Sequence, residues 1–515
     1  MVFWRTSPVC LGGQSLSIHG GHNIAGIMQR ANPLRRRSSV TISTVILQLS
    51  DGFLLENAEI SKERGVLINV EVSNHRSILE PVELSMIAID EDRPGARWCE
   101  RLGRHVLTTA GIYGANASGK SNVLSAIAWL VDSIGRVWWE WGPGVPRDAH
   151  RYGQGPDLPS EFRIDVLAEG VRYQYHLAVG DDRVEFEALY SFPERRRRRI
   201  FEREDMATTF RRGTERVRGI RELLTPTTLV LSAGWRLGAA DFRAACGAIH
   251  RINAGTLAAD VKGRQLALLG YSATDLFGDD YEIGVQADQR EAMWPSEAGQ
   301  PDPEPPQRDP NLQATALHLM QLADPSICAA TWHQSRHNTA EGASGRQLRF
   351  RHRSGDSTAE FGLGEESQGT QRWFETLGAV LWQLRFGGTL LVDELDASLH
   401  PRITKRVLEA FRDPVTNPLG AQLIFTTHDT SLLGTLNRDE VWLTDKDAGG
   451  ATTLYALADF EGERVRKSLN LERAYLQGRF GAVPSADQAA LYRMLDVPEI
   501  DDDPDGTPAD ERVAS

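Results

Sequence analysis

The chain has 515 residues, of which 41% are hydrophobic and 25% charged, and it carries a formal net charge of −13. That length buries a large core and allows two or more lobes, while the acidic balance excludes a wholly basic, histone-like binder and leaves phosphate contact to local patches. Cys10, Cys99, Cys246 and Cys328 form no C-x-x-C pair, which argues against zinc and a disulfide framework and fits a reducing cytosol.

Residues 1–64 read as an irregular extension, with the basic run Arg35-Arg36-Arg37 and a hint of order only at 45–49. Translation starting near Val66 is one expectation, which mass spectrometry of the N-terminal peptide settles. The alternation Val66-Leu67-Ile68-Asn69-Val70-Glu71-Val72 predicts a strand, and Asn74-His75-Arg76-Ser77 a turn after it. Residues 105–108 then read as a strand entering Gly114-Ala115-Asn116-Ala117-Ser118-Gly119-Lys120-Ser121, a G-x-x-x-x-G-K-S phosphate loop. A helix follows from Ser121-Asn122, with apolar Val123, Leu124, Ile127, Leu130 and Val131. In such a loop the glycines let successive N–H groups face phosphate, and the helix N-terminus adds partial positive charge. Lys120 neutralises the outer phosphates and Ser121 offers its hydroxyl to Mg²⁺.

Three alternating runs at 162–167, 171–179 and 184–190, broken at Glu169-Gly170 and Gly180-Asp181, predict an antiparallel meander. Arg195-Arg196-Arg197-Arg198-Arg199 follows, with Arg203, Arg211, Arg212, Arg216, Arg218 and Arg221 beyond. Interleaved acids favour a solvated hairpin, and contact with nucleic acid or a partner is the other reading. Residues 236–345 read as a helical insertion interrupted by prolines over 295–310, with a core-facing helix at Leu312, Ala316, Leu319, Met320 and Ala323.

Glu366-Ser367-Gln368-Gly369-Thr370 opens a helix whose apolar face is Trp373, Leu377, Val380, Leu381 and Leu384. Its free N–H groups and dipole suit a γ-phosphate near Ser367 and Gly369. Leu390-Leu391-Val392-Asp393-Glu394 is an apolar strand ending in two carboxylates, a Walker B pattern. There Asp393 suits Mg²⁺, and Glu394 suits a general base acting on water. The polar tail from Asp501 is too polar to pack.

These motifs in this order resemble SMC/RecF-type ABC ATPases, and more narrowly the bacterial abortive-infection and anti-phage ATPases related to the overcoming-lysogenization-defect group. The likeness rests on Asn74-His75-Arg76-Ser77, Glu366-Ser367-Gln368-Gly369-Thr370, Leu395-Asp396-Ala397-Ser398-Leu399-His400-Pro401, Thr427-His428-Asp429 and Tyr475-Leu476-Gln477-Gly478-Arg479-Phe480-Gly481-Ala482-Val483-Pro484. It implies that Asp396 lies in a D-loop, that His428 is the switch histidine on the γ-phosphate, and that Ser367 and Gly369 complete the ATP site of a second subunit. The signature departs from the Leu-Ser-Gly-Gly-Gln form of transporters.

The expected fold is α/β: a P-loop NTPase of ABC/SMC-head type with an antiparallel β subdomain and a helical insertion. The expected parts are an extension (1–64), a first ATPase segment (65–235), the insertion (236–345), a second ATPase segment (346–490) and an acidic tail (491–515). The implied activity is an ATP- and Mg²⁺-dependent dimerisation switch, forming a homodimer or higher homo-oligomer and controlling a separately encoded nuclease-like effector. A DNA-binding repair ATPase and a slow-hydrolysing scaffold or antitoxin are the alternatives. No strand-placed Glu and Asp-x-Asp set follows His428, so intrinsic nuclease activity is not expected, and no sustained heptads predict a long coiled coil. No run approaches the roughly 20 apolar residues that cross a bilayer, and residues 1–16 lack the order of a secretory signal, so the expected location is cytoplasmic, away from membranes.

Overall fold

The computed structural model describes residues 65–135, 141, 144–211, 219–253, 310–334, 346–397, 399–460, 471–477 and 479–480. The expected extension, the acidic tail, residues 295–309, Arg212, Arg216, Arg218, Ser398, Gly478 and residues 481–484 lie outside them.

The alternating run at the start gives β1 (Val66–Ser73), antiparallel to β2 (Val82–Ser85). A hairpin of β3 (Ala96–Cys99) and β4 (Arg104–Leu107) precedes β5 (Thr109–Gly114), which runs into the glycine loop and α1 (Lys120–Gly135). The strand feeding the loop is therefore Thr109–Gly114 and not the expected 105–108. Residues 104–107 pair with β3, whereas β5 is buried along its whole length between two parallel neighbours. At Gly111 there is no room for a side chain, because a Cβ would come within 2.8 Å of the Phe425 ring.

The expected meander forms β6 (Ser160–Ala168), β7 (Val171–Val179) and β8 (Val184–Ser191), and β9 (Arg198–Glu204) and β10 (Ala207–Phe210) extend it. With β1 and β2 they make a seven-stranded antiparallel sheet, ordered β10-β9-β8-β7-β6-β1-β2. In the arginine run, Arg199 pairs with Glu202 at 3.1 Å and the Arg197 guanidinium lies 3.8 Å from the Tyr190 ring centroid.

Helices α2 (Ile220–Leu223), α3 (Val230–Arg236) and α4 (Ala240–His250) lead to β11 (Ile252–Asn253). Next come α5 (Pro310–Ala323) and a three-stranded antiparallel sheet of β12 (Ile327–Gln334), β13 (Arg346–Ser354) and β14 (Ser357–Gly362). The rest is α6 (Gln368–Phe386), β15 (Thr389–Val392), α7 (Pro401–Arg412), β16 (Gln422–Thr426), β17 (Val441–Lys446), β18 (Thr452–Ala456) and α8 (Leu471–Leu476). The span 236–345, read as helical, thus also holds β11 and β12. Two-residue β11 is too short for any periodicity to reveal it.

The central sheet runs β11-β15-β16-β5-β17-β18, parallel except for β18. Its strands alternate strictly between two cores. Leu391, Ile424 and Ile112 face α1 and the antiparallel sheet, while Leu390, Val392, Leu423 and Phe425 face α6 and α7. Helix α1 is enclosed between the two sheets, which is why Leu124, Ile127 and Leu130 are all fully buried. Each such side chain stabilises the fold by about 1.5–3 kcal/mol.

One polar side chain joins the sheets. Gln422, buried at the start of β16, accepts from Leu67 N (2.8 Å) and Thr389 Oγ1 (3.0 Å) and donates to Leu67 O (2.9 Å) and Leu107 O (3.2 Å). Those contacts use every donor and acceptor of the amide. They fall where the β1–β6 register slips, at Leu67/Asn69. Gln422→Leu keeps the volume but orphans several buried groups, so it is expected to lower unfolding free energy by about 2–4 kcal/mol. Urea denaturation of the two proteins measures this; an unchanged midpoint would show that the amide joins nothing of consequence.

Candidate functional site

The glycine loop spans the C-terminal end of β5 and the first turn of α1. Gly119 has φ +108°, a conformation closed to other residues, and a Cβ there would collide with Thr452 Oγ1. Gly114 is needed for close approach: its Cβ would strike Thr444. Ala117 also has positive φ, +62°. Asn116 and Ala117 are exposed, Ala115 is half-buried and Ser118 is buried, so the loop presents its tip to solvent and its flank to β17 and β18. Lys120 is buried, and its Nζ donates to Gly114 O (2.9 Å) and Ala115 O (3.0 Å), which places the ammonium inside the loop. Burial lowers its pKa from the ordinary lysine value, while the negative field of Asp393, Asp396 and Glu394 acts the other way.

Ser121 Oγ donates to Asp393 Oδ1 at 3.0 Å, joining the start of α1 to the end of β15. Thr426 Oγ1 donates to the same Asp393 oxygen at 2.5 Å and accepts from Glu394 N at 2.7 Å. A hydroxyl and a carboxylate oxygen thus converge beside Lys120, the hard oxygen donors that suit Mg²⁺. Glu394 follows with φ +51°, and its carboxylate is half exposed, 3.8 Å from Arg372 Nη1 of α6. Asp396 accepts the backbone N–H of His428 through both oxygens, at 3.3 and 3.2 Å. His428 is itself exposed at the end of β16.

Ser367 is the N-cap of α6, its Oγ accepting from Thr370 N at 3.1 Å. Ser367 is exposed and Gly369 half-buried. A capped 19-residue helix therefore opens onto solvent. Within one chain the structure joins Ser121, Asp393, Thr426 and Glu394 in one hydrogen-bonded group at the loop and Asp396 with His428 in a second. Asn122 is engaged differently: its amide donates to Ser77 Oγ at 2.6 Å.

That bond belongs to a support behind the loop that the motifs did not reveal. Ser77 and Thr452 hydroxyls are 2.7 Å apart, Thr452 Oγ1 donates to Ser118 O at 2.8 Å, and the Ser118 and Thr444 hydroxyls are 2.6 Å apart. In the sequence only Thr426 is marked, by its place at the end of β16 next to Thr427-His428-Asp429; nothing local marks Thr444 or Thr452. The turn at 74–77 is fixed by Asn74, with φ +49°, whose Nδ2 donates to Gly155 O (2.8 Å) and Leu158 O (2.6 Å). His75 is buried against Phe162 and reaches Ser125 Oγ of α1 at 3.3 Å.

On the other flank, Tyr113 precedes the loop, fully buried and edge-on to Tyr475 at 6.2 Å. Burial, followed by the charges of Asp429 and Asp396, raises its phenol pKa well above the usual range. Tyr455 Oη donates to Phe480 O at 3.0 Å. The described part of the Tyr475 motif therefore packs against the strand that carries the loop.

A phosphate loop on a central parallel strand, two carboxylates ending the strand two places away, and an antiparallel lobe over the loop helix define an α/β P-loop NTPase fold. The chain belongs to the family described as "AAA domain, putative AbiEii toxin, Type IV TA system", which matches residues 110–227 and 278–434, more than half of it. No curated protein matches. Among similar solved structures is an Smc head domain with an extended coiled coil bound to the C-terminal domain of ScpA, from Pyrococcus furiosus. It is 12% identical with a TM-score of 0.38, over 76% of this chain and 96% of that one. An SMC head domain from Thermotoga maritima is 11% identical with a TM-score of 0.32, over 76% and 98% respectively. Among the described residues no helix is long and apolar enough to cross a membrane.

The turn beside the loop makes the fold acid-sensitive. Burial, aided by the Arg76 charge, pushes His75 down to about 4 from an ordinary 6.5. Above 6.5 the imidazole is neutral in both states. As pH falls from 6.5 towards 4 the unfolded chain binds the proton first, so stability is lost across that window, approaching about 3 kcal/mol. Denaturation midpoints at pH 7 and pH 5 should differ less in His75→Gln than in the parent; an identical difference would remove His75 as the cause.

Proposed function

We propose that the chain is an ATPase in which two copies enclose ATP, each supplying the loop at 114–121 to one nucleotide and the Ser367 end of α6 to the other. The observation that carries this is the convergence of Ser121, Asp393 and Thr426 within hydrogen-bonding distance, next to Lys120 and Glu394. In this reading the N–H groups of residues 115–121 and Asn122 cradle the phosphates, and Lys120 moves from the loop carbonyls to the outer phosphates. Ser121 and Asp393 would hold Mg²⁺, which neutralises phosphate charge when bound. Glu394 accepts a proton from water, and its exposure leaves the carboxylate accessible to it. His428 and Asp396, already bonded to each other, face the γ-phosphate and the second copy. Ser367 and Gly369 direct the α6 N-terminus at that phosphate.

For the biological role we favour an anti-phage or abortive-infection system, with the dimer as a switch on a separately encoded, nuclease-like effector. Support comes from the motif resemblance to such ATPases and from a family description that names a toxin of a type IV toxin–antitoxin system. A slowly hydrolysing ATP-bound holder is the variant of this reading in which the Arg372 guanidinium, 3.8 Å from Glu394, closes onto the carboxylate and restrains the base.

Lys120→Ala is expected to abolish ATP binding, read by equilibrium binding of a fluorescent ATP analogue. Glu394→Gln should retain ATP and lower turnover by about 10²–10⁴-fold, the usual contribution of a general base. Hydrolysis by Glu394→Gln at the parent rate would refute the assignment of the base.

A further inference from the structure

At the start of α6, His352 of β13 makes a bridge that the proposed chemistry does not use. Its Nε2 lies 2.8 Å from Glu366 Oε1, and its Nδ1 lies 2.7 Å from Ser326 Oγ and 3.7 Å from Asp324 Oδ2. Ser326 in turn donates to Asp324 Oδ1 through its hydroxyl (2.6 Å) and its N–H (2.9 Å). The ring packs edge-on against Phe361 at 5.1 Å, so its orientation is fixed on two sides. Asp324 directly follows α5, with its N–H on Met320 O at 3.0 Å, and Glu366 directly precedes the α6 N-cap. A second tie joins the same two helices: buried Trp373 of α6 donates to Leu319 O of α5 at 3.0 Å.

Donor atoms of Asp324, His352 and Glu366 lie within 4.8 Å of one another, close enough to suggest a cation. The geometry answers differently. Glu366 meets Nε2 while Asp324 and Ser326 face Nδ1, the opposite nitrogen of the ring, so hydrogen bonds account for the cluster and a shared ion does not. The Glu366 side chain is only 5% exposed. A carboxylate one residue before a helix N-terminus is attracted to that helix's free N–H groups. Released from His352, it would compete there with phosphate and repel it.

We propose that His352 is a positioning residue: it holds the Glu366 carboxylate on β13, keeps the α6 N-terminus open to a phosphate of the second copy, and ties that opening to the placement of α5. The inference rests on the proposed ATP sandwich and adds an input to it from the segment that precedes β12. The nucleotide held by the chain's own glycine loop should not depend on it.

The test uses the full chain with Glu394→Gln, which accumulates ATP-bound dimers in this reading, followed by sedimentation velocity against ATP concentration. Adding His352→Ala should raise the ATP needed for dimerisation by about tenfold, a typical coupling between linked sites. Binding of a fluorescent ATP analogue below the dimerisation range should stay unchanged. His352→Gln, which retains a donor, and His352→Ala with Glu366→Gln, which removes the repelling charge, should each recover most of the loss. A parent that never dimerises overturns the sandwich and this inference with it. A parent that dimerises while His352→Ala matches it overturns the positioning role alone, as does a parallel loss of analogue binding or failure of Glu366→Gln to rescue.

Discussion

Parallel pairing of β5, β16 and β15 is the constraint on which the site depends. Parallel neighbours end at the same edge of a sheet, so the glycine loop, the 427–429 turn and the carboxylate pair emerge side by side although 272 residues separate Ser121 from Asp393 in the chain. Thr426 completes the alignment. Its single hydroxyl gives a proton to Asp393 and takes one from the N–H of Glu394, locking the ends of two strands in register. Neither bond survives a slip of one residue, because a slip turns every side chain to the other core.

The antiparallel lobe stiffens this edge from behind. Helix α1 is clamped between two sheets, and the amide of Gln422 links their backbones at the end of β16 away from the loop. At the loop itself the link is a relay of hydroxyls, Ser77 to Thr452 and Ser118 to Thr444. Small hydroxyl side chains fit where the glycine loop and β18 approach too closely for anything larger, and they supply partners for loop carbonyls that would otherwise be buried without one. The loop's conformation is therefore held before any ligand arrives, which reduces the ordering cost of binding.

The parts legible in the sequence were those whose physics is local. The glycines of the loop, the alternation of the meander and the apolar run before Asp393 each follow from one element's own geometry. What could not be read depends on partners distant in the chain. Residues 105–108 look as strand-like as 109–114, and only the pairing of one with β3 and of the other with β16 and β17 distinguishes them. Thr426 and Thr452 resemble ordinary strand threonines until their hydroxyls are seen to meet Asp393 and Ser118. His352 belongs to no motif at all, and its relation to Glu366 exists only because β13 passes beside the start of α6. Asn122 shows the converse, since its position next to Ser121 suggests the phosphates while its amide is engaged by Ser77.

The left-handed backbone of Glu394 sets stability against chemistry at one position. A residue with a Cβ held at φ +51° gives up about 1 kcal/mol relative to glycine. Selection for thermal stability alone would therefore favour Glu394→Gly, which relaxes the backbone and deletes the carboxylate together. Screens that score only soluble, heat-resistant protein would drift towards inert chains here, and an engineered stable variant should be sequenced at this codon before its folding is taken as success.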